Sequence, residues 1–329
     1  MDMMTRRSFL IGTALAAFGA SPPVNAQTSG ARWPARPVNL IIPFPAGGAM
    51  DLLGRAVAQD LGDKLGQQFV VDNRAGAAGN IGAMTAAKAA PDGYTILMAG
   101  AASLALNKFM FSGMQYDPEK ELTPIVILSK LPHIFVVNPK VDATTLKQLV
   151  DYARANPGKL NAGVPGAGTT AHITLEAFMA ETGAKMTVVT YRAEPQMLTE
   201  LVGGQLDFAC TLTTSPGPHV QGGRLRALAV TSATRTQQLP DVPTVEQAGF
   251  PGFEAAAWFA LAAPTGTPAD IVERINTIAN AFLRGDKGRQ DLVKLDSLPA
   301  GGTPEQAKAF IAAEIRKWGP IIKAANIQM

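Results

Sequence analysis

Cysteine is all but missing from these 329 residues. Cys210 stands alone, so no internal disulfide framework and no cysteine-built zinc site can form. Histidine is nearly as scarce, with three copies. No H-E-x-x-H pattern or tight His/Asp cluster gathers them, so no metal site is expected. No apolar run approaches the ~18–20 residues that cross a bilayer. Charge is thin and balanced, at 17% charged residues and a formal net charge of +3. The basic residues are dispersed without interleaved aromatics, which argues against a nucleic-acid partner. No G-x-S-x-G elbow marks a serine nucleophile. Asp51 and Asp207 are accounted for as cap or loop residues, so no catalytic residue, no enzyme and no cofactor is expected. What the chain does have is apolar bulk. With 47% hydrophobic residues it is long enough for two domains, and it is globular rather than disordered or fibrous.

Residues 1–26 differ in composition from the rest. Arg6-Arg7 precede an apolar stretch from Phe9 to Ala20, the length of a signal core and too short for a span. Val24-Asn25-Ala26 forms a small-x-Ala cleavage site. Twin arginines before Phe9-Leu10 resemble a twin-arginine export signal. The competing reading, an amphipathic helix of the mature protein, is disfavoured by Pro22-Pro23 and by the lack of acids after Asp2. The expectation is a periplasmic protein whose signal is removed near Ala26.

Beyond that segment, short β-rich runs alternate with longer helical ones. Val38–Ile42 reads as a buried strand closed by Pro43, and 51–65 as a helix with apolar residues at helical spacing. The alternation predicts an α/β fold with a largely parallel sheet. Two long apolar runs, 123–137 and 253–263, interrupt it. Each is long enough to pass from one domain to another. Two passages predict a first lobe built from 27–128 plus 256–329 and a second, inserted lobe of 129–255. That layout makes a two-lobed clamp hinged on two crossing strands.

The two most informative segments each lie between a strand and a helix. In the first, Pro43-Phe44-Pro45-Ala46-Gly47-Gly48-Ala49-Met50-Asp51, adjacent glycines let backbone approach a ligand. The helix that follows begins with unpaired N–H groups and a partial positive charge, which suits a carboxylate or phosphate. The second, Gly163-Val164-Pro165-Gly166-Ala167-Gly168-Thr169-Thr170-Ala171-His172, repeats the device. Its glycines do not match the dinucleotide fingerprint, and Thr169 stands where a P-loop needs lysine. An uncharged cradle fits a small carboxylate better than a triphosphate. A plain tight turn remains the alternative for the first loop.

These residues, taken in order, resemble the Bug family, the extracytoplasmic solute receptors of tripartite tricarboxylate transporters. The resemblance runs through Pro43–Gly48 with Asp51 and Arg55, then Asp72–Gly82 and Pro91–Thr95. It returns at Gly166–His172 and Val202–Asp207, then at Arg226–Ser232 and Leu239–Thr244. Trp258 and Ala263–Pro268 close the series. The family implies a periplasmic-binding-protein fold of the type II-like, Venus-flytrap kind, closing on a carboxylate and serving two integral-membrane transporter subunits. The receptor is expected to be a monomer. Carried over, the first loop contributes Phe44, Ala46, Gly47, Gly48 and Asp51 to ligand binding. The second contributes Gly166, Ala167, Gly168, Thr169, Thr170 and His172. Ser103 and Tyr191 join them as residues at strand ends, where ligands of α/β sheets collect.

Two departures from the family pattern bear on the ligand. Tyr191-Arg192-Ala193 replaces Tyr-x-Gly. Cys210-Thr211-Leu212-Thr213-Thr214 lacks the aspartate that many members carry there, and Thr211 is taken as a ligand contact instead. Without that acid, an ammonium-bearing ligand loses a partner, which favours a dicarboxylate or an aromatic carboxylate. The alternatives are an amino acid or nicotinate-like ligand, a sensor for a signalling partner and, least supported, a periplasmic hydrolase. His172 can donate to a carboxylate or be buried against backbone. Arg55 and Arg192 can neutralise a ligand or pair with nearby acids. Cys210 reads as an inert core residue, and Trp258 as hinge packing rather than a stacking platform.

Overall fold

The structure, a computed structural model, describes residues 33–329, and the expected export signal at 1–26 lies outside them. The first elements are β1 (Val38–Ile42), α1 (Ala49–Leu65), β2 (Phe69–Asn73), α2 (Asn80–Ala87) and β3 (Thr95–Gly100), with a 3₁₀ turn at Ala77–Gly79 leading into α2. A π-helical turn at Ala102–Leu106 and two single-turn helices, α3 (Asn107–Met110) and α4 (Pro118–Glu121), lead into the long strand β4 (Leu122–Val137). The middle of the chain carries α5 (Leu146–Ala155), β5 (Asn161–Val164), α6 (Thr170–Thr182), β6 (Thr187–Thr190), α7 (Glu194–Gly203), β7 (Phe208–Leu212), α8 (Gly217–Gln221) and β8 (Arg226–Val230). Then come β9 (Ala256–Pro264), α9 (Ala269–Arg284), α10 (Asp286–Lys294), β10 (Leu298–Gly301) and α11 (Pro304–Ala324).

All ten strands join through β4. The path is β2-β1-β3-β9-β4-β7-β5-β6, and β8 and β10 also pair with β4. The expectation of a largely parallel sheet needs correction. Among the described residues, parallel strand pairs are confined to β1 with β2 and β3 and to β5 with β6 and β7, beside one isolated parallel bridge between Val230 and Thr244. Every pair made by β4 or β9 is antiparallel. The reason lies in the crossing: the chain runs out along β4 and returns along β9, so the two central strands must oppose each other.

The register shows where β4 changes partner. It pairs with β9 from Leu122↔Pro264 to Pro132↔Ala256, then with β7 from His133↔Leu212 onward. The β9 side makes the same change, because the Ala255 amide donates to the Thr231 carbonyl at 2.9 Å just before β9 begins. The fold is therefore the two-lobed α/β arrangement, with its two connecting strands side by side.

Hydrophobic packing follows the strand period of two. Ile134 and Val136 join Met197, Leu201 and Leu206 on one face of the second lobe. On the first lobe, Val38, Leu40 and Ile42 pack with Leu53, Val57 and Leu61 of α1. On the other face a single apolar cluster runs through both lobes, from Ile41 and Leu97 to Phe135, Phe178 and Trp318. Separate cores thus exist on one face only. Phe135 is fully buried and anchors the shared face, with ring centroids 4.7 Å from Phe178 and 5.4 Å from Phe208. Phe135→Ala should cost about 3–5 kcal/mol of unfolding free energy. Chemical denaturation measures this, and a loss below ~1 kcal/mol would show that the shared cluster does not hold the lobes.

Candidate functional site

At the first loop, α1 starts with Gly48 at its N-cap, so no side chain occupies the helix's leading amides. Ala46, Gly47 and Gly48 are exposed, while Asp51 in the first turn is only 2% exposed. Asp51 faces its own loop. Its Oδ2 accepts the Gly47 amide at 2.9 Å and Arg55 Nε at 3.0 Å. Its Oδ1 accepts Asn73 Nδ2 at 2.9 Å, and the same Asn73 nitrogen donates to the Phe44 carbonyl at 3.0 Å. Arg55 closes the network by donating to Asn73 Oδ1 at 3.0 Å. Arg55 is thus paired with an acid of its own lobe. Burial pushes the Asp51 carboxyl up, but the bonds from Arg55, Gly47 and Asn73 outweigh burial and hold it below its ordinary 3.8.

At the second loop, Thr169 caps α6 by accepting the His172 amide at 3.3 Å, and it donates to the Gly166 carbonyl at 2.9 Å. His172 turns back as Asp51 does. Its Nδ1 accepts the Gly168 amide at 3.1 Å, which leaves the ring proton on Nε2, 3.6 Å from Glu176 Oε1. The two loops share one brace. In each, the third residue of the helix reaches back four positions to a glycine amide just before the N-cap. Both glycines sit at positive φ, +87° for Gly47 and +68° for Gly168. A side chain there would be strained, and at Gly168 it would also meet the Met110 and Met329 sulfurs at 3.1 Å.

The neighbours of the two loops meet around residues 77–110. The Phe44 ring lies against Gly79, and Asn107 donates to the Ala78 carbonyl at 3.0 Å. From the second lobe, Gly168 abuts Met110. Thr170 and Thr174 face Ala101, Leu106, Glu314 and Trp318 across a cavity of about 10 Å³, room for a single water. Ser103, in the π-helical turn beside it, is buried with its hydroxyl on the Gly100 carbonyl. Tyr191 and Thr211 stand at the far strand ends of the second lobe. The Tyr191 hydroxyl donates to Glu200 at 2.6 Å, and burial first, then Glu200, pushes it up to about 12. The Thr211 hydroxyl donates to Glu194. Cys210 is fully buried and its thiol is pushed up by burial. Trp258 is 1% exposed, with its indole donating to Glu314 at 2.9 Å, so it is packed in the core.

Sequence reasoning missed His133. It sits on β4 where the strand changes partner, is fully buried, and is pushed down to about 3 by that burial, so the ring is neutral. Its Nε2 meets the Thr170 hydroxyl at 3.0 Å and its Nδ1 meets Thr174 at 3.3 Å. The crossing strand thereby grips the first turns of the helix behind the second loop. Asn73 was missed for the same reason: both act across elements distant in sequence.

Residues 53–327 match the family model for the tripartite tricarboxylate transporter family receptor. The chain is 35% identical over 329 residues to Protein BugT of Bordetella pertussis, covering 99% of each. Among solved structures, Rpa4515 of R. palustris with adipate is similar at a TM-score of 0.78 and 38% identity, covering 90% of this chain and 99% of that one. MatC of Rhodopseudomonas palustris with bound malate matches at 0.74 and 28% identity, covering 88% and 100%.

The Asp51 network makes a pH-dependent contribution to stability. A carboxyl held below its unfolded value stabilises the fold above that value, and the contribution is lost as pH falls through the lowered one. Wild-type melting temperature should therefore fall more steeply below about pH 3.8 than that of Asp51→Asn. Parallel acid limbs in a thermal-melt series would show that the brace contributes nothing.

Proposed function

Because this chain belongs to the family of tripartite tricarboxylate transporter receptors, we propose that it is a periplasmic solute-binding receptor that closes on a small carboxylate. It then presents that ligand to a secondary transporter with two integral-membrane subunits. The observation that carries this reading is the pair of glycine-bearing helix starts, one in each lobe, braced by Asp51 and by His172. Neither loop tip places a lysine or arginine at the helix start, so the binding groups are backbone amides and threonine hydroxyls. A carboxylate suits those donors. Ligands with a carboxylate at each end would engage both lobes, and the relatives bound to adipate and to malate support a dicarboxylate.

In this reading the lobes are 27–128 with 256–329, and 129–255, and the mature monomer begins after Ala26. Ligand contacts come from Phe44, Ala46, Gly47 and Gly48 on one side and from Gly166 to Thr170 on the other, with Ser103, Tyr191 and Thr211 lining the strand ends. Asp51 and His172 act through the loops that they hold. A ligand that touches both loops favours the closed form, and its differential affinity drives closure. Shifting an open-to-closed ratio from 99:1 to 1:99 takes about 5.5 kcal/mol. Two to four charge-assisted hydrogen bonds at ~1.5–3 kcal/mol each supply that amount.

Gly48→Val tests the cradle directly. Gly48 has ordinary extended dihedrals, φ −79° and ψ 168°, and an added Cβ would meet only the Pro45 carbonyl, at 3.9 Å. The variant should fold like the wild type and lose affinity for adipate, malate and succinate by at least about tenfold in isothermal titration, one lost charge-assisted bond. Undiminished affinity in Gly48→Val, or no binding of any small carboxylate by the wild type, would overturn the proposal.

A further inference from the structure

Strand β7 ends in Cys210-Thr211-Leu212-Thr213-Thr214, which carries no acid of its own. The fold supplies one from another element. Glu194 opens α7, and its Oε1 accepts the Thr211 hydroxyl. Thr211 is fully buried on β7, while Glu194 follows β6. Strand β5 lies between them, pairing with β6 through Val164↔Thr190 and with β7 through Gly163↔Ala209. A side chain that bridges from 194 to 211 must therefore pass over the carboxyl end of β5.

That strand end is where the second glycine loop departs. The Val164 carbonyl accepts both the Gly166 amide at 2.9 Å and the Tyr191 amide at 3.0 Å, tying the start of the loop to the turn that leads into Glu194. The neighbouring acid Glu200 is occupied, taking the Tyr191 hydroxyl at 2.6 Å and Gln196 at 3.1 Å. Glu194 is half-buried, and among the described residues only Thr211 donates to its carboxylate, with no cation in salt-bridge range. A negative group thus overlies the root of a loop built to hold an anion.

Resting on the carboxylate reading above, we infer that Glu194 is a specificity-determining residue that selects acids carrying a hydrogen-bond donor, a hydroxyl or an ammonium, beside the carboxylate held by the second loop. Such a donor gives the Glu194 carboxylate a second partner beside Thr211. A bare methylene would cover the carboxylate oxygen that Thr211 does not reach and leave it without a donor.

The test is a titration panel of length-matched acids: succinate, malate and aspartate, and adipate with its 2-hydroxy and 2-amino derivatives. The wild type should bind one donor-bearing acid at least about tenfold more tightly than its unsubstituted parent, as expected for a hydrogen bond to a charged group. Preference for the hydroxy or the amino member identifies the donor. Glu194→Gln should collapse that ratio to within about threefold while melting like the wild type. Thr211→Val, which frees the same carboxylate, should change the ratio without abolishing binding. Equal affinity for parent and substituted acids in the wild type, or a ratio unchanged by both variants, would overturn the inference while leaving the carboxylate reading intact. No binding of any acid in the panel would overturn both.

Discussion

Backbone amides left open at two helix starts are the resource on which the rest of this molecule depends. An amide loop is only as good an anion site as its geometry is fixed, and glycine alone fixes little. Here each loop is held by a side chain from the helix that it precedes, Asp51 on Gly47 and His172 on Gly168. The two braces occupy the same position relative to their N-caps but use different chemistry. A carboxylate in the first lobe is itself anchored by Arg55 and Asn73, while an imidazole nitrogen takes its place in the second. In both, a polar group that the sequence offers as a ligand contact is bonded to the backbone of its own loop.

The crossing strand connects those loops to the motion expected of a receptor. β4 gives its first residues to one lobe and its last to the other, and His133 sits at the change of partner. Its neutral ring bonds Thr170 and Thr174, which ties the crossing strand to the start of α6. One apolar cluster continues across both lobes on the same sheet. The lobes are therefore coupled by shared packing as well as by two strands, which restricts the paths along which they can move.

Much of this was legible in the chain. β1 and α1 fall where the apolar spacing and the closing Pro43 place them, with α1 starting two residues earlier than its apolar spacing. The two loops were legible because glycine before a helix start is a local signal. Other elements carry no such signal. β10, Leu298-Pro299-Ala300-Gly301, lacks alternation and is a strand only because β4 lies alongside it. The π-helical turn at Ala102–Leu106 has an ordinary apolar composition. Asn73, His133 and Glu194 make contacts with residues 22, 37 and 17 positions away. No short motif encodes such pairings.

The local sequence determined many of the strands and helices and where glycine precedes a helix start, because capping, periodicity and glycine conformations act over a few residues. Only the tertiary structure decided that the central strands run antiparallel, that Asp51 and His172 turn back onto their loops, and that Glu194 meets Thr211. Those outcomes depend on which distant segments are brought side by side. That is set by the single packing arrangement that buries both faces of a sheet threaded by one long strand.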